Sequence, residues 1–412
     1  MSQTILVINC GSSSIKFAVV PEKTTLEIES KIPRFRRSGL AENLGTPEAL
    51  LNIIDANGEK TSIAIPDADH QIALTHILKT LGDEQLIAIG HRVVHGGEKF
   101  IRAVQINTEV VSAIRDTIPL APLHNPANLL GIETTLKLFD DLPQIAVFDT
   151  AFHQTMPPQA FRYAIPDDLY QHHRIRRYGF HGTSHAYVSQ RTNHLLGSSN
   201  HGWISAHLGN GCSTCAVWQG KSLDTSMGLT PLEGLVMGTR SGNVDPSLHL
   251  HLVKTLGWSL DDIDQLLNKK SGLLGLSGVS NDMRTLSELA KTGHASAALA
   301  IDVFCYRLAQ SVAAMSCALP RFTGIIFTGG IGENSAEIRA KTLALLPHFN
   351  FHLNDAKNQK MVRGAEGRVD QGNHKSDDQD NDQNDHQGRQ IWVIPTDEEG
   401  QIAQETRGVL GL

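Results

Sequence analysis

Short apolar runs alternate along the chain with longer stretches of helical periodicity. The apolar runs are TILVINC, IKFAVV, LIAIGHRVV, QIAVFDT, WISAHLG, TCAVW, GIIFTGG and QIWVIPT. Their length and their content of β-branched residues predict buried or half-buried strands. The longest apolar stretch between them, HASAALAIDVFCYRLAQSVAAMSCAL, predicts a buried core helix. Strands that alternate with helices indicate an α/β protein.

Two segments of the chain share one layout. ILVINCGSSSIKFAVV, near the N terminus, and WISAHLGNGCSTCAVW, about 200 residues later, each consist of a strand, a Gly/Ser turn and a second strand. Another apolar strand with a polar turn follows each of them, QIAVFDTAF in the first half and GIIFTGGIGEN in the second. We expect a duplicated domain with a cleft between the two copies.

One polar segment interrupts the pattern. From Arg363 to Gln390 the chain is rich in Asp, Asn and Gln and has almost no apolar residues. Such a composition predicts a solvated or disordered insertion, because it offers too little apolar surface to bury. We expect a first domain of residues 1–150 and 391–412, and a second domain of residues 151–390.

Length, charge and cysteine content narrow the classes of protein. A chain of 412 residues is long enough for two or three domains. The net charge of -7 argues against a nucleic-acid partner, because duplex binders carry a basic face. Five scattered cysteines do not form a disulfide framework, so we expect a cytoplasmic protein. No apolar run reaches the roughly 18 residues of a membrane span, and we expect no membrane association.

Four glycine-rich turns follow apolar stretches and suit an anion. They are NCGSSS, HLGNGCS, GLLGLSG and TGGIGEN. Glycine lets the backbone approach a ligand, and successive N–H groups form a concave site for phosphate. A single turn of this kind is more simply a hairpin, but four in one chain favour phosphate binding. Neither a P-loop nor a complete dinucleotide fingerprint is present, so a nucleotide would bind through another architecture.

Arginine, histidine and acidic residues gather in the loops. GHRVVHGG, PLHNPANL, RRYGFHGTSH and MGTRSGNVDP place Arg or His beside Gly or Pro, where an arginine is suited to an anion. His181 and His185 have i,i+4 spacing but lack the Glu and third ligand of a zinc protease, so metal binding there is not expected. Asp149 and Glu398 end apolar strands, a position that suits Mg²⁺ or simple capping and solvent exposure.

The Cys212-x-x-Cys215 motif has two interpretations, a redox or zinc motif and a pair of apolar fillers. No second pair accompanies it. Residues three apart on a strand point to opposite faces of the sheet. We therefore interpret both cysteines as fillers.

Ten segments follow one another over nearly the whole chain: INCGSSSIKF, GHRVVHGG, PLHNPANLLGI, VFDTAFHQTMP, RRYGFHGTSH, HLGNGCS, DTSMGLTPLEGLVMGTRSGNVDP, SGVSNDMR, FTGGIGENS and PTDEE. In this order they resemble the acetokinase family, the acetate kinases. The resemblance implies two duplicated ribonuclease-H-like domains of the actin-like ATPase fold, with the active site in the cleft between them. It also implies a homodimer that transfers the γ-phosphoryl group of ATP reversibly to acetate with Mg²⁺, or with Mn²⁺.

The resemblance also implies roles for individual residues. The implied catalytic residues are Asp149, His181, Arg240 and Arg92. The implied acetate site combines Arg92 with the apolar residues Val94, Leu123, Phe180 and Pro231. The implied ATP site comprises Lys16, His207, Leu208, Gly209, Asn210, Gly211, Asp282, Met283, Arg284, Gly330, Ile331, Gly332, Glu333 and Asn334. Asn9 and Glu398 are implied at the metal.

The chemistry of acetate bears on the mechanism. Its pKa of roughly 4 leaves it ionised at pH 7, so it needs no general base. We expect direct in-line transfer, with Asp149 orienting an arginine or a metal-bound water. At the implied acetate site, the size of Val94 leads us to expect acetate to be preferred over propionate. The alternatives are a propionate or butyrate kinase of the same fold and, in another class, a non-catalytic ATP-dependent switch.

Overall fold

The computed structural model describes residues 3–22, 35–82, 84–122, 124–372 and 388–412. The chain divides into unit 1, Met1–Gln154 with Asp397–Leu412, and unit 2, Thr155–Thr396. Both divisions lie a few residues beyond the expected domain limits. Leu123 and most of the polar segment at 363–390 lie outside the described residues.

Each unit contains one mixed β-sheet. The strands of unit 1 are β1 (Thr4–Cys10), β2 (Ile15–Pro21), β3 (Arg37–Glu42), β4 (Leu50–Asp55), β5 (Lys60–Ala64), β6 (Leu86–Val93), β7 (Val104–Gln105) and β8 (Gln144–Phe148). Those of unit 2 are β9 (Gly202–Leu208), β10 (Cys212–Trp218), β11 (Lys221–Thr225), β12 (Gly324–Thr328), β13 (Gly367–Arg368) and β14 (Gln390–Val393). The strand orders are β5-β4-β3-β2-β1-β6-β8-β7 and β11-β10-β9-β12-β14-β13.

Helices connect and cover the strands. Unit 1 has α1 (His70–Thr80), α2 (Thr108–Asp116) and α3 (Asn125–Leu138). Unit 2 has α4 (Pro158–Phe161), α5 (Asp167–His173), α6 (Gly182–Leu196), α7 (Ser247–Leu256), α8 (Leu260–Lys269), α9 (Gly272–Ser277), α10 (Met283–Lys291), α11 (Ala295–Ser316), α12 (Gly329–Asn334), α13 (Ala336–Ala344) and α14 (Asp355–Lys360). The final helix, α15 (Glu398–Leu410), belongs to unit 1.

Strand β1 is buried on both faces of its sheet. Leu6 belongs to a core cluster with Leu74 of α1, whereas Ile5 belongs to a cluster with Ile402 of α15. Successive strand residues point to opposite faces, so a continuous apolar run serves both helical layers. This is why the sequence ILVI identifies a strand without an alternating pattern.

The two sheets repeat one topology, which confirms the predicted duplication. The antiparallel hairpin β1–β2 is followed by parallel β6 and β8, and the hairpin β9–β10 by parallel β12 and β14. The two later strands that the sequence places side by side do not correspond, because β12 takes the place of β6 and β14 that of β8. In each hairpin, the last-but-one residue of the first strand pairs with the second residue of the next strand. These pairs are Asn9 with Lys16 and His207 with Ser213.

The predicted core helix is α11. Of the described helices, it alone is long and apolar enough to cross a membrane by length and composition. Ile301, Phe304 and Leu308 are buried, and the helix packs against α9, α10, α13 and β10 within unit 2. Such burial is typical of a core helix.

The ends of the polar segment are structured, contrary to the expected solvated insertion. Strand β13 pairs antiparallel with β14, and the buried Asp370 carboxylate accepts a hydrogen bond from the N–H of Ile391 at 3.1 Å. Strand β14 thus places residues 391–393 in unit 2, and not in the first domain as expected. Residues 373–387 lie outside the described part of the chain.

Candidate active site

The carboxyl ends of the parallel strands in unit 1 carry its candidate residues. Asn9 lies near the end of β1, Arg92 near the end of β6, and Asp149 directly after β8. Open α/β sheets bind ligands at this edge. Glu398 begins α15, which packs against the same three strands.

Arg92 and Asp149 form a bidentate ion pair. Arg92 Nε donates to Asp149 Oδ1 at 3.0 Å and Nη2 donates to Oδ2 at 2.5 Å, while Nη1 donates to Asn9 Oδ1 at 3.2 Å. Burial by itself lowers the pKa of Arg92, but Asp149, Glu398 and Glu399 together raise that pKa above its ordinary value. Arg92 therefore stays charged, and both oxygens of Asp149 accept hydrogen bonds from it.

Lys16 pairs with a carboxylate to which the sequence assigned no role. Its Nζ lies 2.6 Å from Glu399 Oε1; the Lys16 side chain is 51% exposed and that of Glu399 only 9%. Glu399 follows Glu398 in the first turn of α15, where the helix dipole favours negative charge. The doubled glutamate of PTDEE was the available signal for it.

Two asparagines of α3 hold the strand ends in place. Asn128 Oδ1 accepts from the N–H of Val94 at 3.0 Å, and its Nδ2 donates to the carbonyl of Cys10 at 2.6 Å. Asn125 Oδ1 accepts from the N–H of His95, and its Nδ2 donates to the carbonyl of the same residue. Both side chains are buried, so these hydrogen bonds are shielded from water. The sequence singled out their motif but gave neither asparagine a role.

In unit 2, His181 has a left-handed backbone conformation, with φ 58° and ψ 25°, directly before α6. Non-glycine residues seldom adopt it, and it recurs at functional sites. His181 Nε2 and Arg240 Nη2 each lie 3.3 Å from the position that a Cβ would take on Gly211. Arg240 Nη1 donates to the carbonyl of Pro231 at 2.7 Å, and burial lowers the pKa of Arg240. Phe180, the residue before His181, is buried.

The turn of the β9–β10 hairpin, residues 209–211, lies beside this pair of donors. The His207 ring stacks on the His181 ring with centroids 4.3 Å apart. The carbonyl of Asn210 accepts from the N–H of Gly238 at 2.9 Å, and its Oδ1 accepts from Asn281 Nδ2 at 3.1 Å. These contacts connect the hairpin turn with the loop before α10.

The segment at 330–334 forms α12, and its acidic residue faces its own backbone. Glu333 Oε1 accepts from the N–H of Gly329 at 2.9 Å and from the N–H of Thr396 at 3.0 Å. The Glu333 carboxylate thus stabilises the turn after β12. A ligand bound at this segment would therefore contact its backbone or its other side chains.

Asp282 caps α10. Its Oδ1 accepts from the backbone N–H of Arg284 at 2.8 Å, and the Arg284 guanidinium pairs with the same carboxylate. Hydrogen bonding to Arg284 lowers the pKa of Asp282 to about 2. Met283 is buried, whereas the Arg284 side chain is 89% exposed.

All five cysteines are free, and the Cys-x-x-Cys pair is buried on β10. Burial raises the pKa of both thiols, that of Cys212 to about 12. The thiolate is the reactive form of cysteine, so burial disfavours a redox or metal-binding role for both side chains. This confirms their interpretation as fillers.

A cavity of about 690 Å³ lies elsewhere in unit 2. Arg177, Asp224, Glu233, Lys270 and Arg307 are among its lining residues, and none of the predicted nucleotide residues lines it. Gly272 and Gly275 of the glycine-rich segment GLLGLSG, which forms α9 and not the expected turn, also line it, so this segment was the available signal.

Residues 4–404 match the acetokinase family. The chain belongs to this family. An acetate kinase of Ectopseudomonas mendocina is 57% identical over 99% of both chains. Among solved structures, a propionate kinase from Francisella tularensis is 44% identical, with a TM-score of 0.89, and covers 98% of this chain and 99% of its own. An acetate kinase from Porphyromonas gingivalis is 40% identical, with a TM-score of 0.88, over 99% of this chain and 100% of its own.

These comparisons confirm the resemblance and the duplicated α/β fold. The structure brings the acetokinase candidates together in two sets, one in each unit. The unit 1 set is Asn9, Lys16, Arg92, Val94, Asp149 and Glu398. The unit 2 set is Phe180, His181, His207, Leu208, Gly209, Asn210, Gly211, Pro231, Arg240, Asp282, Met283, Arg284, Gly330, Ile331, Gly332, Glu333 and Asn334.

Proposed function

We propose that the chain transfers the γ-phosphoryl group of ATP to acetate, giving acetyl phosphate and ADP, by direct in-line displacement. The bidentate pair of Arg92 and Asp149 is the observation that carries this mechanism. Because Arg92 engages both oxygens of Asp149, this carboxylate is suited to orient the guanidinium and not to remove a proton. Ionised acetate has no proton to lose at pH 7.

The two sets of candidate residues contain the cations and hydrogen-bond donors that the reaction needs. A carboxylate nucleophile must approach a polyanionic phosphate, so cations and hydrogen-bond donors are needed. We assign Arg92 and Lys16 of unit 1 and Arg240 and His181 of unit 2 to this task. Arg240 forms no ion pair within the described part of unit 2, which leaves its charge available to an anion. Phosphoryl transfer depends mainly on such positioning and charge stabilisation.

A divalent metal fits the donors of unit 1. No group of three His, Cys, Asp or Glu side chains able to hold an ion occurs among the described residues. Mg²⁺ binds through one or two carboxylates together with water and phosphate oxygens, so it needs no such group. We propose that Glu398, with Asn9 nearby, holds Mg²⁺, for which Mn²⁺ can substitute. The ion would neutralise phosphate charge.

Acetate specificity is assigned to the apolar candidates. Val94, Phe180 and Pro231 are proposed to surround the methyl group, and Leu123 lies outside the described residues. The similarity to the Francisella tularensis propionate kinase favours propionate as a second acceptor. One methylene in an apolar pocket changes binding by about 1–3 kcal/mol, so both acids can be substrates with different efficiency.

We further propose a cytoplasmic homodimer without nucleic-acid or membrane partners. Leu299 and Tyr306, both on α11, are more than half exposed and offer apolar surface to a second copy. Light scattering of the purified protein should give the mass of two chains. The mass of one chain would refute the dimer.

The function is tested by trapping acyl phosphate with hydroxylamine. Full-length protein with ATP and Mg²⁺ should yield hydroxamate most efficiently with acetate, less so with propionate, and least with butyrate. Absence of product with all three acids would refute the assignment.

The role of Asp149 is tested with Asp149→Asn. We expect reduced but measurable turnover at saturating Mg²⁺, because the amide oxygen still accepts one hydrogen bond from Arg92. Complete loss at saturating Mg²⁺ would indicate a direct chemical role instead. Glu133→Gln is the matched control, since Glu133 forms an exposed ion pair with Arg115 in the same unit and should leave turnover unchanged.

A further inference from the structure

A chain of hydrogen bonds leads from His181 into the interior of unit 2. His181 Nδ1 lies 2.9 Å from Ser213 Oγ, which lies 2.8 Å from His185 Nε2. His185 Nδ1 in turn lies 2.7 Å from Ser205 Oγ. Ser205, Ser213 and His185 have no exposed surface. The hydrogen atoms of this chain must therefore be satisfied within it.

The buried end of the chain sets the direction of its hydrogen bonds. In the part of the protein that the structure describes, the Ser205 hydroxyl has a single hydrogen-bonding partner, His185 Nδ1. If Ser205 only accepted, its own hydrogen would be buried without an acceptor, which proteins avoid. Ser205 therefore donates to Nδ1, and neutral His185 carries its hydrogen on Nε2.

The same reasoning extends to His181. His185 Nε2–H donates to Ser213 Oγ, so the Ser213 hydroxyl has His181 Nδ1 as its remaining partner and donates to it. With Nδ1 accepting, neutral His181 carries its hydrogen on Nε2. This is the atom that lies beside Gly211 and near the Arg240 guanidinium.

A second chain orients the neighbouring imidazole in the same way. Thr396 Oγ1 donates to Ser184 Oγ at 2.8 Å, and Ser184 Oγ lies 2.8 Å from His207 Nδ1. The Ser184 hydroxyl accepts from Thr396, so its hydrogen is directed to Nδ1. His207 therefore also carries its hydrogen on Nε2. Both stacked rings present an N–H donor at the β9–β10 turn.

From this geometry we propose that Ser205 and Ser213, acting through His185, hold His181 as the neutral tautomer that presents Nε2–H. The inference rests on the proposed function, in which His181 donates a hydrogen bond to the phosphoryl group in transfer. The opposite tautomer would present a nitrogen lone pair to an anion. The two serines touch neither substrate nor reacting atoms and are positioning residues.

Protonation of His181 would disrupt this series of hydrogen bonds. An imidazolium would donate from Nδ1 to Ser213, which already accepts from His185, and would leave the Ser213 hydrogen without an acceptor. The stacked His207 ring and the Arg240 guanidinium also disfavour a further positive charge at this position. His181 therefore stabilises developing charge as a neutral donor.

The tautomer can be measured by NMR on full-length protein labelled with ¹⁵N in the histidine rings. The His181 signals are identified by their loss in His181→Gln. Without substrates, we expect the shift of an unprotonated, accepting nitrogen for Nδ1 and of a protonated one for Nε2. A hydrogen on Nδ1 of His181, or on both nitrogens, at neutral pH would overturn the proposal, whether or not any serine variant folds.

The kinetics of serine variants test whether the tautomer of His181 affects catalysis. Ser213→Ala should give mixed His181 tautomers and lower kcat roughly ten- to a hundredfold, since one transition-state donor is compromised. The KM values for ATP and acetate should stay within about threefold, because uniform binding is unaffected. Ser213→Thr keeps the hydroxyl and should recover the tautomer and most of kcat. Ser205→Ala should shift the tautomer in the same direction with a smaller loss of kcat.

Ser189→Ala is the matched control. Ser189 is also a buried serine, and its hydroxyl donates to the carbonyl of Ala186 within α6. It should leave the tautomer and kcat unchanged. A kcat of Ser213→Ala equal to that of this control would contradict the proposal. If the unaltered protein phosphorylates no carboxylate, the proposed function fails, while the tautomer measurement remains decisive by itself.

Discussion

Replacing Arg339 by methionine should loosen the turn after β12. Arg339 lies on α13 without exposed surface, and burial lowers its pKa to about 10, so it is still charged at pH 7. Its guanidinium donates to Asn358 Oδ1 and to four backbone carbonyls. Those carbonyls belong to Gly332, Glu333, Asn358 and Met361. Two of these residues lie in the proposed ATP segment at 330–334.

The expected loss of stability follows from the carbonyls left without a donor. A buried polar group that loses its partner costs roughly 1–3 kcal/mol. The carbonyl of Asn358 also accepts from the N–H of Met361, so it keeps one partner. The Gly332 carbonyl and Asn358 Oδ1, whose hydrogen bonds to Arg339 are fully buried, then give roughly 2–6 kcal/mol, from which the removal of a buried charge subtracts. We expect a net loss of about 3 kcal/mol, less than the roughly 5–15 kcal/mol that keeps a typical domain folded.

The tryptophans allow this loss to be measured in unit 2 alone. All four of them, Trp203, Trp218, Trp258 and Trp392, belong to unit 2. Their fluorescence during a urea titration reports the unfolding of unit 2, without the assumption that both units unfold in one step. With a slope of roughly 2–3 kcal/mol per molar urea, the midpoint should fall by about 1 M. The KM for ATP should also rise several-fold more than the KM for acetate.

Arg191→Met is the control, because it removes a hydrogen-bonded guanidinium at a less buried position. Arg191 also pairs through two nitrogens, with Glu366, but both side chains are partly exposed and water replaces the lost contact. This variant should lose less than about 1 kcal/mol. Equal midpoints for Arg339→Met and Arg191→Met would refute the idea that the Arg339 guanidinium holds the turn. So would a KM for ATP that does not change in Arg339→Met.

Three further substitutions test other parts of the two sets. Glu399→Gln should free the Lys16 ammonium and raise the KM for ATP several-fold with little loss of stability, since Lys16 is half exposed; an unchanged KM in steady-state assays would exclude this role. Val94→Ala should raise kcat/KM for propionate relative to acetate roughly tenfold, because it makes room for a methylene; a constant ratio would show that Val94 does not limit the acyl chain. Hydrogen bonding to Arg284 lowers the pKa of Asp282, so the stability it contributes is present above the ordinary pKa of 3.8 and is lost as the pH falls through about 2. The difference in urea midpoint between the unaltered protein and Asp282→Asn should therefore be smaller at pH 3 than at pH 5, and a larger difference at pH 3 would contradict the sign.

The strands that the sequence predicts are those buried on both faces of a sheet. β1, β8 and β12 are continuous apolar runs, and their composition reveals them without knowledge of their neighbours. Strands β3 and β5 were not predicted, because RSGLAE and KTSIA are largely exposed or half-buried and lack an apolar run. Their pairing depends on the adjacent strands, which local composition does not describe.

The candidate site was also predicted only in part from the sequence. Motif resemblance singled out Arg92 and Asp149, and the structure places them at the ends of the neighbouring strands β6 and β8, where they form an ion pair. It could not show that Arg339, on the short helix α13, is fully buried and donates to carbonyls of the proposed ATP segment. The i,i+4 spacing of His181 and His185 was considered only for metal binding, whereas in the structure both rings contact the same serine. Such relations arise from tertiary packing and have no local signature.

The register of the β1–β2 hairpin has a consequence for how the site can vary. Lys16 is half exposed near the start of β2, and the next residue, Phe17, has no exposed surface. A slip of one residue would turn Phe17 towards water and Lys16 into the core. The apolar core thus fixes the direction of the lysine, and the turn at 11–14 contributes little to it. Changes of length should be tolerated in that turn far better than within β2, since there a single deletion removes the ammonium from the site and the ring from the core together.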